Sequence, residues 1–173
     1  MTGTLVIGVG NADRGDDGAG LEVARRVRAR KPRDTDVREC SGEASRLLEA
    51  FEGRSRVILI DAASGGGRPG ATRRFEAYDK ALPTSLLHTS THSWGIVEAV
   101  EMARCLGQLP PCVVVYAIEA ASFEPGCRLS APVMRAVDRV LNRVLRELGL
   151  CPNGPDRVAR SDFSRSRSGG LRE

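Results

Sequence analysis

Three aspartates crowd one short loop. Asp13, Asp16 and Asp17 fall within GNADRGDDG, residues 10–18, directly after the apolar run TLVIGV at 4–9. A fourth, Asp61, closes the apolar run RVILI at 56–60. The chain has 2 histidines, His88 and His92, and both lie in LLHTSTHSWG. Carboxylates joined by one imidazole make an N/O donor set for a divalent transition metal, with positions left for water or substrate. Asp17, Asp61 and His92 are the candidate ligands. The same loop works against a phosphate ligand. Gly8 and Gly10 begin a dinucleotide fingerprint, but Asp13 stands where the third glycine belongs. No G-x-x-x-x-G-K-[ST] segment occurs.

Each candidate also has a structural reading. Asp16 or Asp17 would favour the positive end of a following helix. Asp61 would cap a turn, and His92 would sit on the surface or cap a helix. Nucleophilic catalysis finds less support, because it needs a base oriented by a third group and no G-x-S-x-G elbow appears. Cys112 falls in an apolar strand, and Cys105 and Cys127 lack activating neighbours. Cys40, near a strand end, is the one thiol kept in view. Asp16 and Asp17 are adjacent, so nothing makes them face each other as an acid–base pair.

The positions of these residues depend on the elements around them. TLVIGV reads as a buried strand that ends in a glycine turn. From about Asp16 the pattern turns helical, with Leu21, Val23, Ala24 and Val27 on one side and Pro32 beyond the end. Asp36–Cys40 reads as a short strand, and Ala44–Phe51 as a helix stopped by Gly53. Arg56–Ile60 is the clearest strand, placing Asp61 at its carboxyl end. Ala71–Ala77 is interrupted by charge and belongs near a sheet edge. Ser93–Leu106 forms a helix with Ile96, Val97, Val100, Ala103 and Leu106 inward. Cys112–Ile118 is another buried strand. The last helix spans about Ala131 to Leu148, with Ser130 as its expected cap. Strands alternating with helices predict an α/β three-layer sandwich. Its twisted, mostly parallel five-stranded sheet carries helices on both faces. In such sheets functional groups gather beyond the carboxyl ends of the strands, which brings Asp17 and Asp61 to one edge. His92, just before a helix, is expected at that edge too.

Composition narrows the classes. A chain of 173 residues with 41% hydrophobic and 28% charged residues suits one packed domain. That domain is expected over residues 1–150. Residues 151–173 hold five arginines against Asp156, Asp162 and Glu173, with little apolar content, and read as a disordered tail. Of the net +4, half belongs to that tail, so the body keeps only 21 basic against 19 acidic residues. A nearly neutral body with 4% aromatics suits neither phosphate-backbone binding nor base stacking. No nucleic-acid partner is expected. The 5 cysteines have no C-x-x-C spacing, so reduced thiols in a cytoplasmic protein are the default. No apolar run reaches the ~20 residues of a membrane span. No membrane association is expected, and the protein is expected to be a monomer.

Four ordered pieces carry a family resemblance: GVGNADRGDDGAG, RVILIDA, STHSWGIVEAVEMA and YAIEAASFEPGCRLS. Together they resemble the hydrogenase maturation proteases, the endopeptidases that process the large subunit of [NiFe] hydrogenases. The resemblance runs from about Leu5 to Leu148. It implies a five-stranded, largely parallel sheet between helices. It also implies removal of a C-terminal extension from the large-subunit precursor once nickel is inserted, just beyond a Cys-containing metal motif. The family's metal-binding acid, strand-end aspartate and histidine fall on Asp17, Asp61 and His92. Nickel would come from the precursor itself, with another divalent ion able to occupy the site at rest. Asp16, Asn11, Gly42 and Glu43 become candidates for supporting the ligands or reading the precursor. Many relatives carry a Gly-Gly-Thr turn where this chain has CSGEAS at 40–45, so the precursor that it reads is left open. Attack by metal-bound water or by a carboxylate base is equally open. Two further readings stand beside this one. The first is a non-enzymatic metal-sensing checkpoint or chaperone module for hydrogenase assembly. The second is a small-molecule enzyme using the Gly8–Gly10 turn.

Overall fold

Alternating side chains along the inner strands point to two separate cores. Leu5, Ile7, Val9, Val57, Leu59, Val113 and Val115 face one way. Val6, Ile58, Ile60, Val114, Tyr116 and Ile118 face the other. A strand with no polar face must be covered on both sides. The computed structural model describes residues 3–78, 81–83 and 93–150, with the side chains of Ser93 and Trp94 not described.

The elements run β1 (Thr4–Val9), α1 (Ala19–Ala29), β2 (Thr35–Cys40), α2 (Ala44–Phe51) and β3 (Arg56–Ala63). β4 (Thr72–Glu76), α3 (Ser93–Cys105), β5 (Cys112–Glu119) and α4 (Ala131–Glu147) follow. The sheet order is β2-β1-β3-β5-β4. The first four strands in that order pair in parallel. β4 runs antiparallel to β5 at the edge, which suits its charged residues Arg73, Arg74 and Glu76. Helices α1 and α4 cover one face, and α2 and α3 cover the other. This is the expected α/β sandwich. No helix among the described residues is long and apolar enough to cross a membrane.

Strand order reverses between β1 and β3. The chain leaves β1 toward β2 on one side and β3 toward β5 on the other, which opens a crevice beyond the carboxyl ends of β1 and β3. Gly20, near the start of α1, lets the helix close on that crevice. A Cβ there would meet the carbonyl oxygens of Ile60 at 2.2 Å and Val9 at 2.5 Å.

Three expectations change in detail. The segment from Asp16 does not open as an α-helix. Gly15–Gly18 form a 3-10 turn, and α1 starts at Ala19. The tighter turn follows from i→i+3 bonds, Arg14 N–H to Asn11 O and Asp17 N–H to Arg14 O. Leu106 is not inward. It lies beyond the end of α3 and is exposed. Ser130 holds the cap position of α4, yet makes no side-chain cap bond; its hydroxyl donates elsewhere. The expected tail at 151–173 lies outside the described residues.

Candidate active site

The acidic turn sits against β3. It buries two carboxylates, Asp16 and Asp17, each 1% exposed. Asp61, near the end of β3, is 4% exposed. Burying carboxylates is costly unless partners or cations compensate them. Their placement at the switch-point crevice is where an open α/β sheet keeps its ligand site.

Close backbone contact holds Asp17 in place. Gly10 has φ +143°, and a Cβ on it would fall 1.9 Å from the Asp17 carbonyl oxygen. Only glycine permits that approach. Asp61 Oδ1 accepts the N–H of Ala62 at 2.9 Å. That bond orients the side chain at the strand end.

Asp16 is differently used. Its Oδ2 accepts from Ala121 N–H at 2.8 Å, Ser122 N–H at 3.2 Å and the Ser130 hydroxyl at 2.9 Å. Its Oδ1 accepts from Ser130 N–H at 2.6 Å. These bonds account for the roughly four acceptor positions of a carboxylate.

The remaining candidates are scattered. Asn11 is exposed, and its Oδ1 accepts the N–H of Asp13 at 2.9 Å, an Asx turn within the loop. Gly42 is buried, with φ +87°. The start of α3 presses on it, since a Cβ at Gly95 would meet Gly42 O at 1.7 Å. The CSGEAS loop is therefore tied to the helix that begins one residue after His92. Glu43 is exposed and pairs with Arg46 at 2.8 Å. Cys40 Sγ accepts the Gly42 N–H at 3.4 Å. Cys40 also lines an open cleft of about 630 Å³ together with Gly10, Arg38, Ser41 and Arg46. His88 and His92 lie outside the described residues. Among the described residues no three His, Cys, Asp or Glu side chains converge as a metal site needs.

Sequence reasoning missed Glu119, a fourth buried carboxylate at 4% exposed. It ends β5 as Asp61 nears the end of β3, with Ala63 paired to Glu119. Its Oε1 accepts Gly67 N–H at 3.0 Å, and its Oε2 pairs with Arg73 at 3.3 Å. It fastens the glycine-rich loop that follows Asp61. The available signal was a charged residue closing an apolar strand, the pattern that had singled out Asp61.

The family model described as hydrogenase maturation protease matches residues 23–147. The chain belongs to that family. The protein is therefore a maturation protease by descent, a hydrolase. The matched span contains Asp61 and His92 and begins just after the acidic turn. Among curated relatives, protein FrxA of Pyrococcus furiosus is 26% identical over 133 residues, 76% of this chain and 94% of the relative. The hydrogenase expression/formation protein HupD of Rhodobacter capsulatus is 24% identical over 147 residues, 83% of this chain and 70% of the relative. Among solved structures, the hydrogenase maturating endopeptidase HybD of E. coli superposes with a TM-score of 0.71 at 22% identity. It covers 85% of this chain and 92% of its own. The hydrogenase 2 maturation peptidase of Thaumarchaeota archaeon SCGC_AB-539-E09 gives 0.64 at 27% identity, over 86% and 99%.

Proposed function

We propose that this maturation protease removes the C-terminal extension of a [NiFe] hydrogenase large-subunit precursor after nickel insertion. The observation that carries this reading is the pair of buried carboxylates, Asp17 and Asp61, at the switch-point crevice of a family protease. Nickel arrives as part of the precursor. Asp17, Asp61 and His92 ligate it from the protease side, which holds the peptide bond to be cut beside the site. A precursor without nickel lacks the group that completes this arrangement, so metal loading is read before cleavage. The donor set fits, since two carboxylates and an imidazole suit a borderline divalent ion. The four described cysteines are free, in keeping with a cytoplasmic protein.

Turnover separates this reading from a metal-sensing checkpoint that binds without cutting. The protein at one-twentieth the concentration of nickel-loaded precursor should process all of it. Binding that saturates at one precursor per protein, with no peptide released, favours the checkpoint.

A further inference from the structure

We propose that Asp16 is a positioning residue, which locks the segment between β5 and α4 to the acidic turn and thereby fixes the Asp17 carboxylate for its ligand. The inference rests on the reading of Asp17 given above. Asp16 and Asp17 are equally buried, at 1% exposed, so what sets Asp16 apart is its hydrogen bonding. Its two oxygens take four donors from Ala121, Ser122 and Ser130. A metal ion would have to break those bonds to bind there, so Asp16 is not a ligand.

The clamp is reinforced by backbone. Asp16 N–H donates to Ser122 O at 3.1 Å, and Gly126 N–H donates to Asp13 O at 2.8 Å. On its other side the turn is pressed against β1, through the contact of Gly10 with Asp17 O. The turn is held from both sides, and Asp17 is left little freedom to drift. Ser130 shows the cost of this arrangement. It occupies the α4 cap position, where its oxygen would accept a helix N–H, but it makes no cap bond and donates to Asp16 instead. Ser122, Glu124, Pro125, Cys127 and Arg128 of the clamped segment are exposed, so the segment depends on anchors such as this one.

Asp16→Asn keeps the shape but turns one acceptor oxygen into a donor that faces other donors. Ser130→Ala removes one of the four bonds. The full-length variants are compared for Ni2+ affinity by calorimetry, for kcat and KM on nickel-loaded precursor, and for fold by circular dichroism. Partners that orient ligands are worth roughly 10–100-fold. Asp16→Asn should lower Ni2+ affinity and kcat about tenfold or more with KM nearly unchanged. Ser130→Ala should shift both in the same direction by less. A folded Asp16→Asn with parental kcat and Ni2+ affinity overturns the proposal, as does a rise in KM alone, which would mean direct precursor contact. If Asp16→Asn fails to fold, Ser130→Ala decides: lowered kcat supports the clamp, and parental kcat overturns it. A parent that cuts no precursor sinks the protease reading instead, and Ni2+ affinity then decides the clamp.

Discussion

Gly20 stands so close to Ile60 that a Cβ at position 20 would lie 2.2 Å from the Ile60 carbonyl oxygen. This contact brings the start of α1, and the acidic turn before it, onto the end of β3 beside Asp61. The turn that carries Asp17 and the strand end that carries Asp61 come together because the helix and strand backbones meet here without a side chain between them.

Gly20→Ala tests that contact by its sign. Replacing a helical glycine with alanine ordinarily stabilises by about 1 kcal/mol. Here the added carbon has no room, and overpacking costs about 1–3 kcal/mol. Thermal melting should give a Tm lower by several degrees. An unchanged or higher Tm would show that the α1–β3 approach is looser than described.

Asp61→Asn should spare the fold and remove the function. The asparagine oxygen can still accept the Ala62 N–H, but it carries no charge for a cation. Cleavage of loaded precursor should fall at least ~100-fold, the upper end of what supporting partners of a metal site are worth, with a melting curve near the parent's. Substantial residual cleavage would remove Asp61 from the ligand set.

Glu119→Ala should loosen the loop that follows Asp61. Gly67 N–H loses its acceptor and Arg73 its partner. Gly67 is exposed and its N–H can turn to water, so the loss is that of an ordinary hydrogen bond, about 0.5–1.5 kcal/mol. Hydrogen exchange at Gly67 should accelerate, while amides in the centre of β3 stay protected. Unchanged exchange would deny Glu119 its anchoring role.

Stability toward acid should depend on Glu147 at the opposite end of the sheet. Burial alone pushes its carboxyl up. Hydrogen bonds from Arg74 and Tyr116, with the charges of Arg74 and Arg56, outweigh burial and hold it below its ordinary 4.5. A depressed folded value adds stability above about pH 4.5 that is lost as pH falls through that folded value. Tyr116 moves the other way. Burial, then its bond to Glu147, pushes it up to about 12 from 10.0. Its contribution holds below pH 10 and is lost as pH rises through about 12. Denaturant unfolding at stepped pH should find Glu147→Gln less stable than the parent at pH 7, with the gap closing below pH 4. A constant gap would contradict the pairing.

Much of this was legible in the chain. The runs TLVIGV, RVILI and CVVVYAI are apolar at consecutive positions, and only a sheet covered on both faces accommodates that. The parallel order then placed Asp61 at the carboxyl edge with no contact known. The resemblance set Asp17 apart from Asp16, but neither composition nor spacing gave a physical reason for it. They are adjacent and identical, and only the fold shows that one is spent on the chain from Ala121 to Ser130, 114 residues away in the case of Ser130. Ser130 stands at the expected cap position, but its hydroxyl donates to Asp16, because a cap is a local signal and its actual acceptor is distant. Leu106 kept the helical period but fell one residue past the end of α3, where no core is left to receive it.

The central claim is that Asp17 serves cleavage through the precursor's nickel. Its most direct test is the intact mass of a nickel-loaded large-subunit precursor after incubation with the parent protein or with Asp17→Asn. The parent should remove a single C-terminal peptide, only when nickel is present, and Asp17→Asn should leave the precursor whole. Equal cleavage by both proteins, or cleavage by the parent without nickel, would contradict it.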